Sequence, residues 1–122
     1  MKLLFPTFNE GRSPVYDAMG DLHLVPTPKH SRKIRKEIKF LEDIPFEESL
    51  KVRRAVKLQN SGQYDLYELR IAAPSRMAYR LIFMVRIVGY IALHFFLKKS
   101  NNYDNEIRVA ITRLKQYDYE QS

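Results

Sequence analysis

Cysteine is absent from this 122-residue sequence, which excludes disulfides and thiolate-held metal sites. Histidine is scarce: His23, His30 and His94 are scattered along the chain without zinc-ligand spacing, so neither a metal nor another cofactor is expected. Long apolar runs are missing too. The strongest, Leu81 to Leu97, is broken by Arg86 and His94 and is too short to span a bilayer. At the start, "MKLLFPTF" is interrupted by Pro6 and the polar "NEGRSP" before a signal-peptide core is reached. These absences lead to the expectation of a cytoplasmic protein with no membrane partner. Acidic residues are also outnumbered, 14 against 21 lysines and arginines, and the resulting charge of +7 favours a polyanionic partner, either nucleic acid or an acidic protein.

What is present is the composition of a folded domain: 45% hydrophobic residues, 29% charged, seven Phe and eight Tyr. The length fits one core, so residues 1–122 are expected to form a single domain. Lys2 to Phe8 reads as a strand with a bend or edge at Pro6, followed by a turn at "NEGR". Ser13 and Pro14 open a helix with Val15, Met19 and Leu22 on one face, weakened or ended by Gly20. The two prolines of "LVPTPKH" mark a connection, and a basic amphipathic helix follows with Ser31 as its cap and Ile34, Ile38 and Leu41 as its apolar stripe. "PFEESLKVRRAVKLQNSGQ" reads as irregular.

From Tyr64 the texture becomes β: "YDLYELRIA", "RMAYRLIFMVR" and "VGYIALHFFLKK" are joined by connections too short for crossover helices. A last helix covers "EIRVAITRLKQY", capped at Asn102 or Asp104. The expected class is α+β, with a mostly antiparallel sheet.

Alternation along these strands places Glu68 and Arg70 on one face of their strand, opposite Tyr67, Leu69 and Ile71. On the next strand Arg80 shares a face with Ala78, Ile82 and Met84. An arginine in mid-strand requires either neutralisation, by Glu68, or an open groove. On the last strand, Tyr90, Ala92, His94, Phe96 and Lys98 are expected on one face and Lys99 on the other. His94 is then either a satisfied core imidazole or a group facing a cleft, and Lys98-Lys99 either a solubilising strand end or a functional pair. Convergence of Arg70, Arg80 and Lys98 beside aromatic rings would suit a phosphodiester and its bases.

The sequences "FNEGRSPVYDAM", "YDLYELRI", "YRLIF", "ALHFFLKKS" and "EIRVAITRLKQY" resemble, in order and spacing, the RelE/HigB superfamily of toxin components, particularly its phage-derived HigB-like branch. The resemblance implies two N-terminal helices packed on a curved, mostly antiparallel four-stranded sheet, with a C-terminal helix. It implies the toxin of a type II toxin–antitoxin system, a ribosome-dependent, metal-independent mRNA endoribonuclease. Its partners would be mRNA, the ribosome and a cognate antitoxin, expected to be a helix-turn-helix protein.

By motif position, the resemblance makes Arg70, Arg80, Lys98 and His94 catalytic, with Arg70 and Arg80 clamping the scissile phosphate. It adds Lys57, Lys99, Tyr79 and Phe96 as RNA-binding residues, with Tyr79 and Tyr90 as phenolic alternatives to His94 for the general acid. The chain departs from the branch at Phe95, where glycine commonly follows the histidine, and in the longer connection "GDLHLVPTPKHS". Two alternatives accompany this reading: a ParE-like gyrase inhibitor acting through Lys33, Arg35, Lys36 and Lys39, and a binding protein of the same fold without catalysis.

Overall fold

The first helix forms where its capping residues direct. The Ser13 hydroxyl accepts from the Tyr16 N–H at 3.2 Å, and Pro14 occupies the first helical position, where its missing N–H costs nothing. In the computed structural model, which describes residues 1–9 and 11–122, this helix is α1 (Pro14–Met19); it ends at Gly20 and leaves Leu22 exposed beyond it. The turn expected at "NEGR" includes Glu10, which lies outside the described residues.

The same cap-and-proline pair recurs at Thr27 and Pro28, inside the segment expected to be a connection. Helix α2 (Pro28–Asp43) therefore starts before Ser31, whose hydroxyl accepts from Arg35 at 2.8 Å rather than capping. Buried His30 fixes this end. Its Nε2 donates to the Pro74 carbonyl at 3.0 Å, since a carbonyl only accepts, and its Nδ1 takes the Thr27 hydroxyl at 2.6 Å.

Two short elements occupy the stretch read as irregular. Helix α3 (Phe46–Lys51) follows Pro45, with Glu47 and Glu48 in its first turn, and strand β2 (Ala55–Lys57) follows it. Neither is long enough to show a period. Strand β1 is only Leu3–Leu4, shorter than the Lys2 to Phe8 expectation. Next come β3 (Tyr67–Ala72), a 3₁₀ turn (Pro74–Arg76), β4 (Ala78–Arg86), β5 (Gly89–Leu97) and α4 (Asp104–Gln121). At the start of α4 the Asn102 side-chain oxygen accepts from the Asp104 N–H at 2.9 Å.

The strand order is β1-β5-β4-β3-β2, with β1 parallel to β5 and the other neighbours antiparallel. Among the described residues the sheet is thus five-stranded and mixed rather than four-stranded, and four α-helices accompany it. Gly89 permits the β1 contact: at φ +148° a Cβ there would lie 2.6 Å from the Lys2 carbonyl oxygen, to which Tyr90 N–H donates at 2.9 Å.

Both sheet faces are covered. Val15 of α1 and Ile34 and Leu41 of α2 pack with Leu69, Tyr79, Leu81 and Phe83 on one side. On the other, Ile107 and Leu114 of α4 pack with Ile82, Met84, Ile91 and Leu93. Each fully buried large side chain contributes about 1.5–3 kcal/mol.

A β-bulge interrupts β5. Ile82 pairs with His94 and Phe83 with Ala92, which leaves Leu93 as the extra residue. The set expected on one face is therefore split: Tyr90 and Ala92 join the α1/α2 core with Phe95, whereas Ile91, Leu93 and Phe96 join the α4 side. His94 and Lys98, two residues either side of Phe96, share its face. Among the described residues, no helix is long and apolar enough to cross a membrane.

Candidate functional site

The antiparallel register builds a row of arginines across the sheet. Arg54, immediately ahead of β2, lies opposite Arg70, whose N–H donates to the Arg54 carbonyl at 2.9 Å; Arg70 lies opposite Arg80, and Arg80 opposite Phe96. Neighbouring strands are about 4.8 Å apart, so the cationic stems stand side by side, an arrangement that repels unless acids are interposed.

Two buried carboxylates supply the compensation. Glu68, its side chain only 4% exposed, accepts from Arg70 Nε at 3.1 Å through Oε1 and faces Arg80 Nε at 3.6 Å through Oε2. The second contact is an ion pair beyond hydrogen-bond geometry. Glu37 of α2 is equally buried; both its oxygens accept from Arg54 Nη1 at 2.6 Å, and Lys33 Nζ lies 3.4 Å from Oε1. The Arg54 guanidinium also sits 5.0 Å from the Phe40 ring centroid, a cation–π contact.

Lys33, Arg54, Arg70 and Arg80 line one open cleft of about 390 Å³, together with Glu37, Ala72 and Ala78. Arg54 and Arg70 remain 45% and 40% exposed, while Arg80 is held at 12%. The cleft presents fixed guanidinium groups, which hold anionic oxygens in bidentate fashion and stay charged at any ordinary pH.

Around the inner end of this row, Tyr103 packs edge-on against Phe96, with ring centroids 5.3 Å apart. The pKa of its phenol is raised by burial first and by the Glu68 charge next, so it stays protonated at neutral pH. Phe96 in turn stacks on His94 at 5.3 Å.

His94 is bound on both nitrogens. Arg113 Nη1 lies 3.3 Å from Nδ1, and since a guanidinium only donates, Nδ1 is the acceptor and Nε2 donates to Glu106 Oε1 at 3.2 Å. Burial lowers the His94 pKa, against the opposing pull of Glu106, and the ring is a neutral imidazole bridging β5 to α4. The satisfied-core alternative describes this placement.

The remaining expected residues are dispersed. Lys98 is half-buried on the Phe96 face, and its N–H donates to the carbonyl of Ala78, a cleft residue, at 2.7 Å. Lys99 is exposed beyond the strand. Lys57 is opposite Tyr67, on the other face from Arg70, and pairs with Asp65 at 3.2 Å. Tyr79 is fully buried; its hydroxyl donates to the Leu24 carbonyl at 2.6 Å and its ring stacks on Phe95. That burial removes Tyr79 from any RNA-contacting surface, and Phe96, 8% exposed, offers no free face for a base. Tyr90, the other phenolic alternative, is also buried.

Arg54, Glu37 and Lys33 line the cleft and Tyr103 packs on Phe96 outside it; sequence reasoning assigned none of the four to the site. The doubled arginine in "VRRAV" and the lone aromatic in "SNNYDN" were their available signals. Among the described residues, no three His, Cys, Asp or Glu side chains gather as metal ligands.

The family model described as Phage derived protein Gp49-like (DUF891) matches residues 26–115, a span that holds α2, β2 to β5, most of α4 and every member of the arginine cleft. No curated protein and no solved structure matches the chain. The matched family is associated with RelE-like and other toxin-like proteins. The chain belongs to the phage-derived Gp49-like family.

Proposed function

We propose that the protein is the toxin of a type II toxin–antitoxin system, of the HigB-like kind, and cuts mRNA on the ribosome without a metal ion. The observation that carries this reading is the pairing of Arg70 and Arg80 on one buried carboxylate, Glu68, at the wall of an open cationic cleft. Glu68 engages Arg70 at Nε and leaves its terminal nitrogens for the two non-bridging oxygens of a phosphodiester.

In the proposed reaction the substrate's 2′-oxygen bonds to phosphorus as the bond to the 5′-oxygen breaks, giving a 2′,3′-cyclic phosphate and a 5′-hydroxyl. Negative charge grows on the non-bridging oxygens, where fixed guanidinium groups act most strongly. The 2′-hydroxyl gives its proton to a solvent water while the Lys98 ammonium stabilises the negative charge that develops, and the leaving 5′-oxygen takes a proton from a protonated side chain. Tyr103, protonated and packed on Phe96 opposite Arg80, replaces His94 as the proton donor of this scheme, because both ring nitrogens of His94 are already occupied. An antitoxin covering the cleft with acidic side chains would neutralise the protein.

Induced expression without antitoxin tests the reading. Growth arrest is expected from the natural sequence and not from Arg80→Ala. Unchanged growth in both would overturn it, and inhibition of purified gyrase in a supercoiling assay would transfer the protein to the ParE-like alternative.

A further inference from the structure

The cleft has two walls, and the proposed cleavage uses only one of them. Arg70 and Arg80 rest on Glu68; Arg54 and Lys33 rest on Glu37, which comes from α2 on a different part of the chain. Arg54 is constrained by the paired carboxylate oxygens and by Phe40, so its guanidinium is positioned before any ligand arrives. It is also directly across the ladder from Arg70 and remains 45% exposed. A carboxylate buried to 4% exposure that holds two partly exposed cations is an expensive arrangement unless the cations meet a further anion.

We infer that the Arg54 and Lys33 wall is a second phosphate subsite, which holds the phosphodiester adjacent to the scissile one and so fixes the register of a single RNA strand in the cleft. This rests on the reading of Arg70 and Arg80 as the scissile-phosphate wall. One anion cannot satisfy four cations borne by two separate carboxylates, whereas consecutive phosphates on one strand supply a charge to each wall. The fork geometry of Arg54 favours a phosphate oxygen pair over a lone charge. Ala72 and Ala78 on the cleft lining leave room for the connecting sugar.

Binding of 2′-O-methyl oligonucleotides, whose blocked hydroxyl prevents cleavage, tests the inference by fluorescence anisotropy on the whole chain. A dinucleotide with one internal phosphate should bind the natural protein and Lys33→Gln equally. A hexanucleotide should bind Lys33→Gln several-fold more weakly, and the slope of log affinity against log salt should fall by about one. Arg54→Gln combined with Glu37→Gln removes both partners of the buried pair and should weaken hexanucleotide binding by about tenfold or more, as expected for a lost bidentate contact. Circular dichroism melts check that both variants fold.

Equal hexanucleotide affinity and an unchanged salt slope in both folded variants would overturn the subsite, as would absence of oligonucleotide binding to the natural protein. Competition by a polyglutamate peptide as effective as the hexanucleotide would also overturn it, in favour of an acidic protein ligand. The length dependence without any RNA cleavage would uphold the subsite and reject the nuclease reading. Cleavage that proceeds normally in both variants without that length dependence would do the reverse.

Discussion

Arg80 and Glu68 meet diagonally across the β3–β4 ladder: Glu68 is opposite Ile82 and Arg80 opposite Arg70, yet Arg80 Nε reaches Glu68 Oε2 at 3.6 Å. The diagonal lets one carboxylate serve two adjacent arginines that would otherwise repel. Glu68 is therefore the organising charge of the cleft as well as part of the core.

Replacing Glu68 by Gln leaves two neighbouring guanidinium groups without their counter-ion in a site where Arg80 is nearly buried. Urea denaturation should show a loss of about 3 kcal/mol, the usual consequence of removing one partner of a buried ion pair. A change below about 1 kcal/mol would mean that the pair is no more coupled than a surface one.

Arg70→Ala should separate function from stability. The side chain is 40% exposed and Glu68 keeps Arg80, so unfolding free energy should move by less than about 1 kcal/mol. RNA cleavage should fall by about 100-fold or more, the scale of losing one preorganised donor to a developing charge. Arg70→Lys, which keeps the charge and loses the fork, should recover only part of the rate.

The sequence carried the sheet's arginine face because β3 and β4 place charged residues among apolar ones and so reveal the phase of their alternation. Strand β5 has no such marker. With α1 and α2 on one side and α4 on the other, "YIALHFFL" is buried on both faces, and a single extra residue at Leu93 reverses the phase without a trace in composition. The grouping of His94 with Tyr90 failed for that reason, while His94, Phe96 and Lys98 stayed together beyond the bulge. Arg54 and Lys33 were not legible as a pair because their shared partner, Glu37, is brought to them by tertiary packing of α2. Lys57 is the opposite case, a lysine near Arg70 and Glu68 along the ladder but on the other face of the pleat.

His94 gives a pH signature of stability. Its pKa in the folded protein lies below the ordinary histidine value near 6.5, with burial as the main cause. The unfolded chain then binds more protons in the window just below that value, so the contribution is complete above about pH 6.5 and is lost as pH falls through the lowered folded value. Urea midpoints should fall between pH 7 and pH 5 in the natural protein and fall less in His94→Gln, whose cleavage activity should persist. Loss of cleavage in a folded His94→Gln would return the imidazole to the reaction.

Lys98 and Lys99 should differ although they are adjacent. Lys98 is half-buried on the Phe96 face beside Ala78, and Lys99 is exposed beyond the strand end. Lys98→Ala is expected to slow cleavage by about 100-fold, the scale of losing one positioned donor to a developing charge, and Lys99→Ala by about twofold at most. Equal effects, measured on the same RNA, would contradict the assignment.

Gly89→Ala probes the attachment of β1. The new methyl would meet the Lys2 carbonyl oxygen at 2.6 Å at a backbone angle that side chains rarely adopt. A destabilisation of about 2 kcal/mol or more is expected, together with faster amide exchange at Tyr90. Arg70-dependent cleavage should survive at permissive temperature, because β1 lies at the far side of the sheet from the arginine row.

The most direct test of the cleft's role is to incubate the purified protein with ribosome-bound mRNA and analyse the new RNA ends. The account predicts fragments with 5′-hydroxyl and 2′,3′-cyclic phosphate termini from the natural protein, and none above background from folded Arg70→Ala and Arg80→Ala. Intact mRNA with the natural protein, or cleavage that continues unchanged in both variants, would contradict it.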